Sequence, residues 1–223
     1  MSDLTTLVTT IAGSATTLGV LKSVGPFVTK ILGPAADEIG EIGRDYVKGL
    51  RAKNAGRTVT DASTLLDATG REAQAVPLKV LDPLLNAASM EEEAPLAEKW
   101  AALLANAADP AQQAPVQPAF VEVLRQLTST DARVVSQLYE AAKHSSGNEK
   151  MHTVFTAGIM SGLDLKLTQD EQRLSMDNLI RLQLCKPVAT HGGYSSESFE
   201  MPSAVLMTTF GLRFIQSCTP PTA

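Results

Sequence analysis

Residues 90–110 read MEEEAPLAEKWAALLANAADP and contain three consecutive glutamates followed by the only tryptophan of the chain. Apolar residues recur in this stretch at a spacing of three and four positions, which is typical of one face of an α-helix. The residues of this face are Leu96, Trp100, Leu103, Leu104 and Ala107. The stretch therefore predicts an amphipathic helix that buries Trp100 in the protein core.

Polar residues mark both ends of this helix. Ser89, followed three positions later by Glu92, forms a capping-box pattern, and carboxylates are favoured near the positive N-terminal end of a helix dipole. Asp109 and Pro110 predict where the helix ends. A divalent cation would need oxygens that converge, whereas side chains at consecutive helical positions point apart. We therefore interpret the acidic run as a helix start.

The composition favours a globular and mainly α-helical protein. Of 223 residues, 44% are hydrophobic and 19% charged, which is too apolar for disorder over the whole length, and 4% aromatic residues are few for a β-sandwich. The net charge of -5 lacks the basic excess that a dominant nucleic-acid surface requires. Two widely separated cysteines indicate neither a disulfide scaffold nor a zinc ribbon.

Residues 4–21 carry no charge, but about half of them are Thr, Ser or Gly, which is weak for membrane insertion. Their apolar residues fall at helical spacing on one face, with threonines opposite, so they predict an amphipathic helix. The candidate partner-binding residues on this face are Leu4, Leu7, Val8, Ile11 and Leu18. This face is expected to pack on the protein itself, on a partner subunit or on a lipid surface.

A second helix is predicted from Gly33-Pro34, because proline is favoured at the first helical position. Its end and the residues that follow carry five basic side chains within residues 44–57. These candidate anionic-partner residues are Arg44, Lys48, Arg51, Lys53 and Arg57. The run indicates either a solvated helix end or a surface for an anionic partner such as lipid headgroups or RNA.

Residues 58–75 are small and polar and predict a connector, with a short helical run closed by Gly70. Pro77 then opens a helix with an interior Pro83 that is expected to bend it. The apolar positions of that helix are Leu78, Leu81, Leu84 and Leu85. Further helices are predicted from Pro118 and from Thr128 or Thr130, the latter with Asp131 in its first turn.

The last third of the chain changes character. A helical stretch over residues 168–184 is followed by two β-compatible runs around Gly192-Gly193 and by a short helix. A three-helix unit that ends in a hairpin is the winged-helix plan. Its candidate recognition helix would present three acids and two arginines, Asp170, Glu171 and Asp177 with Arg173 and Arg181. This mixed charge does not favour DNA as the partner.

Several blocks of the sequence resemble the abortive infection alpha family of bacterial proteins. The central blocks are VPLKVLDPLLNAASMEEEAPLAEKWAALLANAADP at residues 76–110 and QPAFVEVLRQLTSTDARVVSQLY at residues 117–139. The flanking blocks LGPAADEIGEIGRDYV, LSMDNLIRLQLC and MTTFGLRFIQSC extend the similarity from Gly33 to Cys218. Family members often carry His-Pro where this chain has Gln117-Pro118. The resemblance implies a cytosolic protein that defends against phage by limiting growth of the infected cell, and it transfers no catalytic residues.

The sequence predicts no enzyme, cofactor or metal site. It contains no GxxxxGK[ST] loop, GxSxG elbow, HExxH pair or GxGxxG turn. Cys185, His191 and Cys218 have side chains that suit zinc, but no fourth ligand is apparent. We expect both cysteines to be small buried apolar residues instead.

The sequence as a whole predicts N-terminal amphipathic helices over residues 1–57, a central helical region over 58–127 and a winged-helix-like unit with a small β-hairpin over 128–223. We expect a cytoplasmic, non-enzymatic phage-defence protein that acts through protein–protein contacts of its helical N-terminal region, with a protein partner or a second copy. The alternatives are a membrane-peripheral effector and a winged-helix nucleic-acid-binding regulator. Deletion of residues 1–32 is expected to leave the rest folded.

Overall fold

The computed structural model describes residues 27, 30–31, 52–112, 114–144, 153–155, 167–188, 202 and 204–222. The chain forms two compact units. Unit 1 comprises Met1–Arg125 together with Ser217–Ala223, and unit 2 comprises Gln126–Gln216. The predicted mainly α-helical fold with a small antiparallel β-hairpin is confirmed. The two boundaries expected from the sequence, after residues 57 and 127, stay predictions.

Unit 1 is a helical bundle. Its helices are α1 (Ala52–Asp67), α2 (Leu78–Ser89), α3 (Ala94–Ala108) and α4 (Pro118–Arg125). Helix α3 lies at the centre, because it packs on α1, α2 and α4 and is buried on nearly all sides. Trp100 is 1% exposed, so its predicted role as a core anchor is confirmed. The density of alanine along α3 lets the neighbouring helices approach closely.

The prediction of a connector after residue 57 was wrong, because α1 runs to Asp67 and packs more extensively on α3 than any other helix does. Its buried face includes Ala55, Val59, Ala62 and Leu66. Thr60 and Thr64 donate hydroxyl hydrogen bonds to carbonyls one turn earlier, so they stay within the helix. Burial on α3 thus stabilises a segment with weak intrinsic helix propensity.

The predicted start of α3 also needs correction. Ser89 is the last residue of α2, and its hydroxyl donates to the carbonyl of Asn86 instead of capping α3. Glu93 is the N-cap of α3 and Pro95 lies in its first turn. The Glu91 carboxylate accepts a hydrogen bond from the backbone N–H of Glu93. The acids therefore lie just before the helix, whereas the predicted capping box would have placed them in its first turn, and no capping box forms.

Helix α2 begins after Pro77 and contains Pro83, as the sequence predicted. Its buried face is formed by Val80, Leu81, Leu84, Ala87 and Ala88. Leu78, which the spacing assigned to the apolar face, is 41% exposed. A leucine in the first turn of a helix can therefore follow the helical spacing and still lie at the edge of the buried face.

Phe27 and Ile31 are anchored in the core of unit 1. Phe27 and Ile31 are buried, and the carbonyl of Ile31 accepts a hydrogen bond from the backbone N–H of Val76. Lys30 pairs with Glu72 at 2.9 Å on the surface. Deletion of residues 1–32 would therefore remove part of the core of unit 1, contrary to our expectation.

Unit 2 combines helices with a small sheet. Its elements are α5 (Ser129–His144), β1 (Thr153–Phe155), α6 (Gln169–Arg181), β2 (Cys185–Pro187), β3 (Ala204–Met207) and most of α7 (Thr209–Ser217). The sheet has the order β1-β3-β2, and both pairings are antiparallel. The β2–β3 pair is the predicted hairpin, whereas β1 was not predicted. The winged-helix arrangement stays a prediction, since residues 156–166 lie outside the described part.

A buried aspartate joins α5 to α6. Asp131 is only 3% exposed, and its carboxylate accepts a hydrogen bond from the backbone N–H of Thr128. The Thr128 hydroxyl in turn accepts the backbone N–H of Asp131 and caps α5, as predicted. Its carboxylate also accepts hydrogen bonds from Ser175 at 2.6 Å and from the Asn178 amide at 2.9 Å. The charge is therefore satisfied by three donors, which allows it to be buried.

The turn between α6 and β2 packs tightly against the start of α7. Thr208 caps α7 by accepting the N–H of Gly211, and its hydroxyl and N–H both donate to carbonyls of this turn. A β-carbon at Gly211 would overlap the carbonyl oxygen of Leu184 and lie 2.7 Å from its carbonyl carbon. Only glycine therefore permits this backbone approach.

Candidate functional site

The described part of unit 1 contains a polar cluster at the C-terminal end of α3. We call Arg71, Asn106 and Asp109 the carbonyl clamp, and residues 217–222 the clamped segment. Asn106 is 2% exposed and Asp109 is 1% exposed, although α3 is otherwise lined by alanine and leucine. Buried polar side chains are costly unless they are hydrogen-bonded, so their partners decide what the cluster does.

Asn106 holds the clamped segment through backbone carbonyls. Its side-chain amide donates to the carbonyl of Ser217 at 2.9 Å and to that of Thr219 at 2.7 Å. The same amide also contacts the carbonyl of Ala102 within α3, at 2.9 Å. The Asn106 side-chain oxygen accepts from Gln112, which sets the direction of the amide hydrogens.

Arg71 connects the aspartate to the far end of the clamped segment. Its guanidinium forms an ion pair with the Asp109 carboxylate at 2.9 Å and donates to the carbonyl of Thr222 at 2.7 Å. Asp109 also accepts the N–H of Ala111, and its own carbonyl accepts from the Gln74 amide. The buried Nε of Arg71 finds no acceptor within the described part of the chain. The Arg71 Nε–H is thus a buried donor that the clamped segment does not use.

A cysteine side chain of the clamped segment is buried beside α3. Cys218 is 3% exposed, and burial raises the pKa of its thiol to about 12, against the opposing effect of nearby Lys99. Burial in turn lowers the pKa of Lys99, which the Cys218 sulfur and Glu98 oppose. Unit 1 therefore contacts the segment through its carbonyls and through one small side chain.

The outer face of α6 carries mixed charge. Asp170, Arg173, Asp177 and Arg181 are exposed on this face, and Leu174 between them is 71% exposed. Glu171 forms a capping box with Thr168, so it is engaged in starting the helix. Alternating charge around an exposed leucine lacks the basic stripe that neutralises phosphates. All five charged residues predicted for this helix are present on its surface.

The candidate residues near the N-terminus fall largely outside the described residues. These are Leu4, Leu7, Val8, Ile11, Leu18, Arg44, Lys48 and Arg51. For Lys53 only the backbone in α1 is described. Arg57 is exposed on α1 and donates to the carbonyl of Glu91 at 3.4 Å. Their proposed contacts stay predictions.

Both cysteines are free and buried, as the sequence predicted, Cys185 in unit 2 and Cys218 in unit 1. Burial raises the pKa of the Cys185 thiol to about 12 as well. His191 lies outside the described residues. Within those residues, no three His, Cys, Asp or Glu side chains form a group suited to a metal ion.

The two thiols are expected to resist alkylation in the folded protein. A pKa raised from 9.0 to about 12 leaves about a thousandfold less thiolate, the reactive form, at pH 8. Iodoacetamide labelling followed by mass spectrometry should therefore be at least about a thousandfold slower in buffer than in denaturant. The pKa of each thiol is higher in the folded than in the unfolded protein, so burial of the protonated thiol stabilises the fold. That stabilisation is fully present below about pH 9 and is lost as the pH rises towards 12. Rapid labelling of either cysteine at pH 8 would contradict the prediction.

The sequence carries a weak signal for the clamp. Asn106 interrupts the run of apolar residues that begins at Trp100, and Asp109 follows the end of the helix. Asn106 bonds to Ser217, which is more than a hundred residues away, and Asp109 bonds to Arg71, which lies before α2. Helical spacing could not reveal either partner. The hydrogen-bonded carbonyls of residues 217–222 leave no trace in the sequence, because every residue has one.

Comparison with known proteins gives one match. The sequence model of the family described as abortive infection alpha matches residues 51–218. That range covers α1 to α7, including all three clamp residues. No curated protein and no solved structure matches the chain significantly. In the described ranges, no helix combines the length and apolarity needed to cross a bilayer.

Proposed function

Because the chain belongs to the abortive infection alpha family, we propose that it protects bacteria against phage through protein–protein contacts of its N-terminal helical region, without catalysing a reaction. The contacts would involve a partner protein or a second copy of the chain. The apolar face of residues 4–18 is the candidate contact surface, because apolar side chains on one helix face stabilise a helix–helix interface.

The observation that carries this proposal is the anchoring of Phe27 and Ile31 on unit 1. Phe27 and Ile31 are buried there, and the Ile31 carbonyl bonds to Val76. The amphipathic stretch that precedes Phe27 is thereby attached to a folded unit through few intervening residues.

A mechanism without catalysis is supported by the state of the two thiols. Cysteine is the strongest nucleophile among the side chains of this chain, but both thiols are buried with a raised pKa. The mixed charge of the exposed α6 face favours a protein over a nucleic acid as a partner.

Deletion of residues 2–24 is expected to abolish phage protection while the protein stays folded. This deletion removes the apolar face but keeps Phe27 and Ile31, unlike the deletion to residue 32 considered from the sequence. The readout is a plaque assay together with survival of the infected cells, and plating efficiency should return to that of cells lacking the gene. Circular dichroism and the mass from light scattering should show an unchanged fold and a smaller assembly.

Point variants give a matched control for the deletion. Leu7→Asn and Ile11→Asn introduce polar groups on the apolar face, whereas Thr6→Asn and Thr9→Asn place asparagine on the opposite face, which is already polar. Only the first pair should lose protection and assembly. Full protection by the deleted chain would contradict the proposal. If the protein floats with anionic vesicles in a salt-sensitive way and its assembly is unchanged, the segment contacts a membrane instead. If the protein shifts a nucleic-acid band in an electrophoretic assay at stated salt, it is a winged-helix regulator.

A further inference from the structure

The exposed face of α6 carries a row of five side chains whose spacing is symmetric. These residues, which we call the α6 row, are Asp170, Arg173, Leu174, Asp177 and Arg181. Positions 170, 174, 177 and 181 are separated by four, three and four residues, so they follow one another along a single face of the helix. The opposite face is buried in unit 2, where α6 packs on α5 and β2. The α6 row therefore faces away from the described core of its own unit.

The charge of Arg181 is not neutralised by a carboxylate of its own helix. Its guanidinium donates to neutral acceptors, the side-chain oxygens of Asn178 at 2.6 Å and of Gln126 at 3.1 Å. An ion pair with Asp177, one turn earlier, is common on a solvated helix, but Arg181 forms no ion pair among the described residues. A single exposed leucine such as Leu174 is ordinary on a surface. The order of the charges around it is what indicates a partner.

Antiparallel pairing of two copies of α6 brings opposite charges together. Under a two-fold axis at the middle of the row, position 170 faces position 181 of the other copy, and position 174 faces position 177. Asp170 thereby meets the partner's Arg181. Asp177 meets the partner's Arg173, which differs in level along the helix by one residue, about 1.5 Å. The axis repeats both pairs around the two Leu174 side chains, whereas parallel pairing in register would place each acid against the same acid.

We propose that the α6 row is a self-association surface, on which a second copy of this chain docks with its own α6 antiparallel to the first. The leucines exclude water at the centre, and the ion pairs at the rim set the orientation. This surface lies in unit 2, so it does not depend on the N-terminal contacts proposed above. One helix pair buries less area than a standard interface, and exposed ion pairs are screened by ions. The dimer is therefore expected to weaken as the salt concentration rises.

Charge reversal in two separate full-length chains tests the pairing. Asp170→Arg and Arg181→Asp each put like charges together in a homodimer, so each should weaken dimerisation about tenfold or more in sedimentation velocity at low salt. An equal mixture of the two variants restores both opposite-charge pairs and should associate as strongly as the unaltered protein. A chain that carries both substitutions should do the same. Circular dichroism of each variant checks that α6 stays folded, since both positions lie in its terminal turns.

Matched substitutions elsewhere separate this surface from a general effect of charge or hydrophobicity. Glu122→Arg and Arg125→Asp make the same reversals on the exposed α4, and neither they nor their mixture should alter association. Leu174→Ser should weaken dimerisation, whereas Met90→Ser, at another exposed apolar residue, should not. The N-terminal segment is present in every one of these chains, so assembly through it contributes equally to all samples. Association that neither α6 reversal weakens, or that the mixture fails to restore, would overturn the inference.

Discussion

Replacing Trp100 with alanine is expected to lower the free energy of unfolding of unit 1 by about 3–5 kcal/mol, as large aromatic truncations in a core do. Trp100 is 1% exposed on α3, the helix on which α1, α2 and α4 pack. The cavity would face several helices at once, so no single helix could move in to fill it. Urea denaturation followed by far-ultraviolet circular dichroism measures the change, since the variant has no tryptophan fluorescence.

Two controls separate burial from loss of the indole N–H. Met90 is 57% exposed in the same unit, so Met90→Ala should change the unfolding free energy by less than about 0.5 kcal/mol. Trp100→Phe keeps most of the volume and removes an N–H that has no acceptor within the described part of the chain, so it should cost less than alanine. A Trp100→Ala protein as stable as Met90→Ala would show that α3 does not form the centre of the core.

The second large effect is expected for Gly211→Ala in unit 2. Alanine would gain about 1 kcal/mol of helix propensity in α7, but its β-carbon would overlap the Leu184 carbonyl oxygen. That neighbour is backbone, held by hydrogen bonds from Thr208, and cannot rotate away as a side chain could. The overlap should therefore prevail and lower the unfolding free energy by about 3 kcal/mol or more.

Gly70 provides the matched glycine control. Gly70 lies in the turn that follows α1 and has a φ of 71°, and a β-carbon there would meet no atom within 4 Å. Gly70→Ala should therefore cost only the backbone strain of a left-handed residue, about 1–2 kcal/mol. Thermal or urea unfolding of both variants compares the two costs. Equal destabilisation would mean that unit 2 relaxes around Leu184, and a stabilised Gly211→Ala would show that helix propensity prevails.

The clearest error of the sequence interpretation was the connector after residue 57. Threonine, serine, asparagine and glycine in α1 have weak helix propensity, so local propensity did not favour a helix clearly. The helix forms because one face of it is buried on α3, and that contact lies some forty residues further along the chain. The capping box at Ser89 failed for a related reason, since α2 extends through Ser89 and uses its hydroxyl.

Some functional features could be read from the sequence, whereas others depend on contacts between distant residues. The family could be recognised from sequence blocks, because motifs such as ANAADP are contiguous. The clamp could not, because Arg71, Asn106 and the carbonyls of residues 217–222 converge only after unit 1 has folded around α3. A carbonyl oxygen is also common to all residues, so no pattern of side chains marks the ligand.

The sequence by itself determined most of the helices and the family, because helical spacing, prolines and the Thr128 and Thr168 caps act within a few residues. The tertiary structure alone decided that α1 is a helix, that Gly211 is irreplaceable and that Asn106 holds a segment more than a hundred residues away. Each of these depends on burial or hydrogen bonding between distant parts of the chain. Such contacts have energies that local propensity cannot predict.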